Sequence, residues 1–173
     1  TEACILDLTT GKVVAEAGQI GELAVRGPQV MAGYWRDAAA TAEVINPEGW
    51  LRTGDMAQMD EEGYFRLIAR RVDMWYPDKE MGPPAFPRDI EEVLYEIPQV
   101  REAAVVANAN QPIAFIITGK DSTTSDTVMA YCRRRLPPEL VPRMVIFVDA
   151  FPRSFIGKIL RRELAQRYGS RVE

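Results

Sequence analysis

The chain has 173 residues, of which 47% are hydrophobic and 27% are charged, a composition typical of a soluble globular protein. It contains no histidine, which excludes Ser–His–Asp catalysis, Cys–His nucleophiles and any zinc site that needs an imidazole ligand. The two cysteines, Cys4 and Cys132, are far apart and lack CxxC spacing, so neither a disulfide framework nor a thiolate metal site is expected.

The charge is unevenly distributed along the chain. The formal net charge is −4, but residues 1–119 carry −9 and residues 120–173 carry +5. Such asymmetry can indicate a basic face that meets a phosphate-rich ligand, although a helix with a solvated arginine face produces the same counts. Lysine is scarce, since four of the 21 basic residues are lysines: Lys12, Lys79, Lys120 and Lys158.

The first 70 residues are expected to form a small β-structure. Strands are predicted at 3–8, 21–26, 50–56 and 64–68, with a hairpin turn at 60–63 between the last two. An alanine-rich helix is predicted over residues 37–44, with Asp37 as its N-cap.

The remaining residues have a different rhythm, in which helices alternate with strands. A proline-rich loop at 76–87 precedes a helix at 88–96, and Pro87 suits the first turn of that helix. Strands are expected at 100–107, 113–118 and 144–148, and helices at 158–168 and from Ser125 or Asp126, as N-cap, to residue 135. The predicted fold class is α+β: a small distorted β-subdomain followed by a compact α/β domain with a three-stranded sheet. The boundary is expected near residues 70–75.

The sequence LRTGD at 51–55 ends a strand with an aspartate beside a glycine. A carboxylate in this position, Asp55, can accept two hydrogen bonds from a ribose diol, as acidic residues do in dinucleotide sites. An Asx-turn, in which the aspartate only bonds the local backbone, explains the same spacing.

The sequence RRVD at 70–73 lies between the two blocks, where a few residues could absorb a backbone rotation. A salt-bridged linker without any hinge function is the alternative. Further along, Lys158 directly follows Gly157 and opens a basic segment, so it is a candidate mobile cation that could neutralise charge developing in a transition state. An exposed lysine without a catalytic role is the alternative there.

Taken in order, the motifs resemble those of the adenylate-forming enzymes, which include acyl-CoA synthetases, luciferases and nonribosomal adenylation domains. The resemblance covers essentially all 173 residues and rests on GEL at 21–23, RGP at 26–28, GYW at 33–35, GWLRTGD at 49–55, GYF at 63–65, RVD at 71–73, IEEVL at 90–94 and GKILRREL at 157–164. Within the family, CRRRL at 132–136 and VPR at 141–143 make the chain most similar to bacterial long-chain fatty-acid–CoA ligases.

The resemblance implies roles for five residues. Asp55 is expected to bind the ribose hydroxyls of ATP or AMP, and Arg71 is expected to help hold the nucleotide. Asp73 would be the hinge between adenylation and thioester formation. Lys158 would contact the carboxylate and phosphate oxygens during adenylation, and Gly82 would belong to the loop that approaches CoA. Residues 1–72 would be the last β-subdomain of a large N-terminal domain, and residues 73–173 a mobile C-terminal domain.

The reaction implied is that of an ATP-dependent, AMP-forming carboxylic acid–CoA ligase for a fatty acid, with Mg²⁺ as cofactor and CoA as co-substrate. The family's phosphate loop and acyl pocket belong to an N-terminal domain upstream of these residues, so the chain alone is not expected to adenylate anything. No stretch approaches about 18 consecutive apolar residues and no signal peptide is visible, so a cytoplasmic location is expected. No nucleic-acid partner is expected, and contact with a membrane surface stays open.

Two departures from the family pattern keep other functions open. Residues 74–84 form a segment longer than usual, and residues 108–112 form a shortened one, and both touch the side expected to serve the thioester step. One alternative is therefore an adenylation domain that passes its acyl group to a carrier-protein thiol. The other is a non-catalytic interaction module with degenerate motifs.

Overall fold

A computed structural model of the chain describes residues 1–14, 16–77, 83–119 and 123–168. The chain divides into two compact units, Thr1–Val72 and Asp73–Glu173, called here unit 1 and unit 2. Within the described residues, no helix is both long and apolar enough to cross a membrane.

Unit 1 is built on a four-stranded antiparallel sheet whose spatial order follows the chain. Its elements are β1 (Glu2–Leu6), β2 (Ile20–Arg26), α1 (Ala38–Val44), β3 (Leu51–Met59) and β4 (Phe65–Arg70). The β2–β3 register shifts between Glu22 and Ala24, opposite the LRTGD segment, and the β3–β4 register shifts between Met56 and Ala57, directly after it. Such irregularities bend a strand and change the direction of its side chains.

Two local predictions for unit 1 have different outcomes. The N-cap of α1 is confirmed, since the Asp37 carboxylate accepts a hydrogen bond of 2.9 Å from the Ala40 N–H. The first strand, expected to reach residue 8, ends at Leu6. The Asp7 carboxylate accepts hydrogen bonds from the N–H groups of Thr9 and Thr10, at 3.1 and 2.7 Å, and this local turn ends the strand.

Unit 2 contains a three-stranded mixed sheet formed by β5 (Val100–Asn108), β6 (Gln111–Thr118) and β7 (Met144–Phe147). Strands β5 and β6 are antiparallel, and β6 and β7 are parallel. A two-residue turn joins β5 to β6, with both Ala109 and Asn110 at positive φ, as in the type I′ turns that suit strand twist.

The helices of unit 2 cover both faces of this sheet. They are α2 (Pro87–Tyr95), α3 (Ser125–Arg135) and α4 (Arg161–Tyr168). Alternate residues of β6 belong to different core clusters, because side chains alternate across a strand: Ala114 and Ile116 pack with α2 and α3, whereas Phe115 packs with Leu164 of α4. The α+β fold class is therefore confirmed.

Two predicted helix starts in unit 2 are wrong. The N-cap of α3 is Thr124, whose hydroxyl accepts from the Thr127 N–H at 3.2 Å, and not Ser125 or Asp126. Helix α4 begins at Arg161, three residues after Lys158, because the preceding residues close into a loop of their own. Pro87 does occupy the first turn of α2, as predicted.

Candidate functional site

Unit 1 holds a buried glutamate, Glu22 on β2, which is 3% exposed. Its Oε2 accepts hydrogen bonds from Arg52 Nε at 2.9 Å and from Arg71 Nη1 at 2.7 Å, and Arg52 Nη2 lies 2.7 Å from the same oxygen. Its Oε1 accepts from the Gly54 N–H at 3.2 Å. A buried charge is stable when it is paired and hydrogen-bonded in this way, and here one carboxylate joins three separate segments.

The LRTGD turn is held by hydroxyl and backbone groups as well. Thr53 Oγ1 donates to the Leu23 carbonyl at 2.8 Å and accepts from the Asp55 N–H at 3.1 Å. Gly54 has a φ of +73°, a conformation that favours glycine, and this lets its N–H reach Glu22. The Asx-turn alternative assigned the local hydrogen bond between a side chain and the backbone to Asp55. In the structure Thr53 makes that bond.

The Asp55 carboxylate is one-third exposed and lies 3.1 Å from Arg70 Nε. Arg70 also donates from Nη1 to the Thr53 carbonyl at 3.2 Å, so it braces the same turn. Asp55 and Arg71 are brought into one network, because Glu22 bonds both Arg71 and the residue that precedes Asp55. In this network two guanidinium groups face one carboxylate at Glu22, which leaves an excess positive charge that favours an anionic ligand.

In unit 2, Lys158 lies on a short closed loop. Arg153 and Ile159 form an isolated antiparallel bridge, and the Ser154 N–H donates to the Lys158 carbonyl at 2.8 Å. Gly157, with a φ of +82°, makes the turn. The Lys158 side chain is exposed and, in the part of the chain that the structure describes, it makes no ion pair.

Both ends of this loop are anchored within unit 2. Arg153 donates from Nη1 to the Gly157 carbonyl at 2.8 Å and from Nη2 to Glu102 on β5. Arg161 donates from Nη2 to both oxygens of Glu91 on α2, at 2.8 and 3.1 Å. The lysine therefore projects from a loop whose two flanking residues are arginines paired with carboxylates.

Asp73 ends the short 3-10 helix Arg71–Asp73, and its Oδ2 lies 3.9 Å from Arg161 Nη1. The charged residues of the RRVD segment all form ion pairs inside one unit or the other: Arg70 with Asp55, Arg71 with Glu22, and Asp73 with Arg161. The segment thus has the ion pairs of a salt-bridged linker, and these pairs fix the backbone on either side of the unit boundary.

Comparisons with known proteins relate the chain to one family. Residues 89–158 match the family model described as the AMP-binding enzyme C-terminal domain. The whole chain aligns at 42% identity with the long-chain-fatty-acid–CoA ligase of Escherichia coli O157:H7 and covers 31% of that protein. The ATP-bound structure of MatB from Rhodopseudomonas palustris gives a TM-score of 0.88 at 30% identity, over 99% of this chain and 35% of MatB. The chain corresponds to the C-terminal portion of an adenylate-forming enzyme.

A second solved structure shows the breadth of this family. The amide bond synthetase McbA from Marinactinospora thermotolerans gives a TM-score of 0.82 at 33% identity, over 96% of this chain and 34% of McbA. The chain thus spans about a third of the length of the relatives that it matches.

Sequence reasoning quoted Glu22 only as part of a family pattern and missed its position in the network. It is 30 residues from Arg52 and 49 residues from Arg71, and no local spacing rule connects residues so far apart. Two features of the sequence could have indicated the network. Glu22 is a charged residue inside a predicted strand, and Arg52 and Arg71 are motif arginines to which no carboxylate partner had been assigned.

Three further observations concern other residues of the chain. Gly82, expected in the CoA-side loop, lies outside the described residues. Over the described ranges there is no group of three or more His, Cys, Asp or Glu residues that could hold a metal ion. Burial raises the pKa of the Cys132 thiol to about 11 and also raises the pKa of Cys4, so neither thiol is a ready nucleophile at neutral pH.

Proposed function

We propose that this chain is the C-terminal part of an ATP-dependent, AMP-forming acid–CoA ligase that acts on a long-chain fatty acid. Residues 1–72 would complete the large nucleotide-binding domain, and residues 73–173 would form the mobile C-terminal domain. The observation that carries the proposal is the Glu22 network, which joins Asp55 and Arg71 in one positively charged cluster. The similarity to a long-chain-fatty-acid–CoA ligase over the whole chain supports the choice of substrate.

In this proposal Asp55 and Arg71 bind the nucleotide. The Asp55 carboxylate is partly exposed on a turn held by Thr53, Gly54 and Arg70, so it can accept hydrogen bonds from the two ribose hydroxyls of ATP or AMP. Arg71 is 40% exposed and, among the described residues, is bonded to Glu22 through Nη1 alone, so the rest of its guanidinium can face the nucleotide.

Lys158 acts in the adenylation step. When the carboxylate of the fatty acid attacks the α-phosphorus of ATP, two negatively charged groups approach each other and charge develops on the phosphate oxygens. An exposed ammonium group without an ion-pair partner among the described residues is available to offset that charge. Proton transfer is not needed, and the chain's lack of histidine is consistent with this chemistry.

Magnesium would accompany the nucleotide. The described residues contain no group of three or more His, Cys, Asp or Glu residues that could hold a metal ion. A Mg²⁺ ion bound to the phosphates of ATP would reduce the repulsion between the reacting anions.

CoA would be the acceptor in the second step, after Asp73 has acted as the hinge of the C-terminal domain. An alternative acceptor, the thiol of a carrier protein, is kept open by the departures at 74–84 and 108–112, on the side expected to serve this step. The second of these segments contains the tight two-residue turn at Ala109 and Asn110.

The proposed location of the enzyme is the cytoplasm.

The reaction is tested on the complete ligase that carries this chain. With ATP, Mg²⁺ and a panel of fatty acids, we expect ATP–pyrophosphate exchange, and we expect AMP release with acyl-CoA formation when CoA is added. The absence of exchange with every acid would contradict the ligase assignment. Exchange followed by transfer only to a carrier protein, and not to CoA, would favour the loading-domain alternative.

The hinge is tested by an Asp73→Pro substitution. Proline fixes φ near −65° and removes a backbone N–H, so it restricts rotation at this residue. We expect one half-reaction to slow much more than the other, measured as pyrophosphate exchange and as CoA acylation from supplied acyl-adenylate. Equal rates for both half-reactions, at wild-type levels, would show that the hinge assignment is wrong.

A further inference from the structure

We propose that Glu22 is the positioning residue of the nucleotide site: it presents Arg71 and the Asp55 turn to the ligand without touching the ligand itself. This inference rests on the proposed function, because it assigns a role within the nucleotide site.

The burial and bonding of Glu22 exclude direct contact with a ligand. The carboxylate is 3% exposed and already accepts three hydrogen bonds, two at Oε2 and one at Oε1, and Arg52 Nη2 forms a further ion-pair contact of 2.7 Å with Oε2. These contacts use most of the about four lone-pair sites that a carboxylate offers. Its effect on a ligand must therefore pass through its partners, which are more exposed than Glu22 itself.

The two arginines bound to Glu22 have different functions in this arrangement. Arg52 places two nitrogens on Glu22: Nε donates a hydrogen bond to Oε2 at 2.9 Å, and Nη2 lies 2.7 Å from the same oxygen. Arg71 uses only Nη1, and in the described structure its other nitrogens have no protein partner. Arg52 thus holds Glu22 in place, and Glu22 in turn fixes the position of the partly exposed Arg71 side chain.

The contact with Gly54 extends the same control to Asp55. Because the Gly54 N–H is bonded to Glu22 Oε1, the positive-φ turn before Asp55 is tied to the position of the carboxylate. A neutral replacement would leave two guanidinium groups side by side without a counter-charge. Their repulsion would move Arg71, the less firmly held of the two, away from its position at the site.

The experiment compares the complete ligase with its Glu22→Gln and Glu22→Asp variants. The primary measurement is AMP affinity by calorimetry, together with KM for ATP, KM for the fatty acid, kcat for pyrophosphate exchange, and the melting temperature. Glu22→Gln keeps an oxygen for Gly54 but removes the charge, and we expect AMP Kd and KM for ATP to rise about tenfold or more. KM for the fatty acid should stay within about twofold of the wild-type value.

Glu2→Gln is the matched control. It removes a second glutamate–arginine pair of the same sheet, Glu2 with Arg26 at 2.6 Å, which joins β1 to β2 but is exposed and far in sequence from the LRTGD turn. This variant should leave AMP Kd and KM for ATP unchanged. Glu22→Asp keeps the charge at a shorter reach and should give an increase in AMP Kd smaller than that of Glu22→Gln.

A double-substitution cycle with Arg71→Ala separates positioning from general loss of stability. If Glu22 acts through Arg71, the two effects on AMP affinity are not additive, and Glu22→Gln has little further effect once Arg71 is gone. Additive effects, or a fall in melting temperature with unchanged AMP Kd in both Glu22 variants, would overturn the inference. An absence of pyrophosphate exchange in the wild type, with AMP Kd still dependent on Glu22, would reject the ligase reaction and keep the positioning role.

Discussion

In each unit a glutamate accepts hydrogen bonds from an arginine and from a backbone N–H. The units differ in whether the residue with a proposed role is itself bonded to that glutamate. In unit 1, Glu22 bonds Arg71 directly, so the arginine proposed to bind the nucleotide is part of the network. In unit 2, Glu91 bonds Arg161, which begins the helix after the Lys158 loop, and the Val105 N–H, at 2.8 Å each, and among the described residues it has no hydrogen bond with Lys158. Lys158 extends from that loop with an exposed side chain.

The difference suits the two proposed tasks. A group that binds the same nucleotide through both half-reactions gains from being held in one place, since pre-organisation lowers the cost of binding. A cation needed in only one step gains from a loop with an anchored base and from a side chain that can still move. Under these proposed roles, the residues of the Glu22 network both stabilise unit 1 and bind the nucleotide. In unit 2, Arg153 and Arg161 stabilise the loop, and Lys158 acts in the reaction.

The largest expected effect tests that separation at Lys158. In the complete ligase, Lys158→Ala should slow adenylation roughly 10²–10³-fold, because it removes a charge aimed at the developing negative charge. The melting temperature should not change, since the side chain makes no ion pair among the described residues. Pyrophosphate exchange and thermal unfolding measure the two quantities, and CoA acylation from supplied acyl-adenylate should be retained.

Lys12→Ala is the control for this loss of charge, because Lys12 is also an exposed lysine but lies in the turn after β1. It should leave both half-reactions unchanged. A Lys158→Ala variant that adenylates at the wild-type rate, or that melts several degrees lower, would remove the distinction between the two units.

The second prediction concerns the base of the Lys158 loop. Glu91→Ala leaves Arg161 and the Val105 N–H without their carboxylate partner, and Glu91 is only 14% exposed, so the free energy of unfolding should fall by about 2–3 kcal/mol. Denaturant unfolding measures this loss. The neighbouring Glu92→Ala removes an exposed pair with Arg88 and should have little effect. Similar losses for both variants would contradict the anchoring role of Glu91.

The third prediction is a pH dependence specific to unit 2. Burial raises the pKa of the Cys132 thiol from 9.0 to about 11, so the folded state holds this proton more tightly than the unfolded chain. The stability that the buried thiol contributes is fully present below pH 9 and is lost as the pH rises towards about 11. Unfolding curves at pH 8.5 and 10.5 should therefore differ more for the wild type than for Cys132→Ala. Equal differences would contradict this prediction.

The smallest effect distinguishes the observed helix cap from the predicted one. Thr124→Ala removes the hydroxyl that accepts from the Thr127 N–H and should destabilise unit 2 by about 1 kcal/mol. Ser125→Ala, at the position favoured by sequence, should change the free energy of unfolding by less than about 0.5 kcal/mol. The reverse order in denaturant unfolding would restore the sequence-based cap.

Much of the local structure could be predicted because it depends on neighbouring residues. The apolar, β-branched runs of β5 and β6, the Asp37 cap and the position of Pro87 follow from propensities and spacings of a few residues. The start of α4 could not be predicted in this way. Arg153 closes the Lys158 loop by bonding the Gly157 carbonyl and Glu102, the latter 51 residues earlier in the chain.

The candidate site shows the same limit. Asp55, Arg71, Asp73 and Lys158 were identified by motif, and their roles stay proposals. The residue that organises two of them, Glu22, depends on a strand pairing between β2 and β3 and on the turn that Gly54 makes. Pairing across the sheet brings together residues that are 30 or more positions apart, and a single sequence carries little information about such pairs.

Both networks close within their own unit. Among the described residues, the hydrogen-bond partners of Glu22 belong to Thr1–Val72 and those of Glu91 belong to Asp73–Glu173. A chimeric protein joined between Val72 and Asp73 would therefore inherit the Glu22 network from one parent and the Lys158 loop from the other. In such a chimera Glu22 would keep Arg52 and Arg71, and Glu91 would keep Arg161.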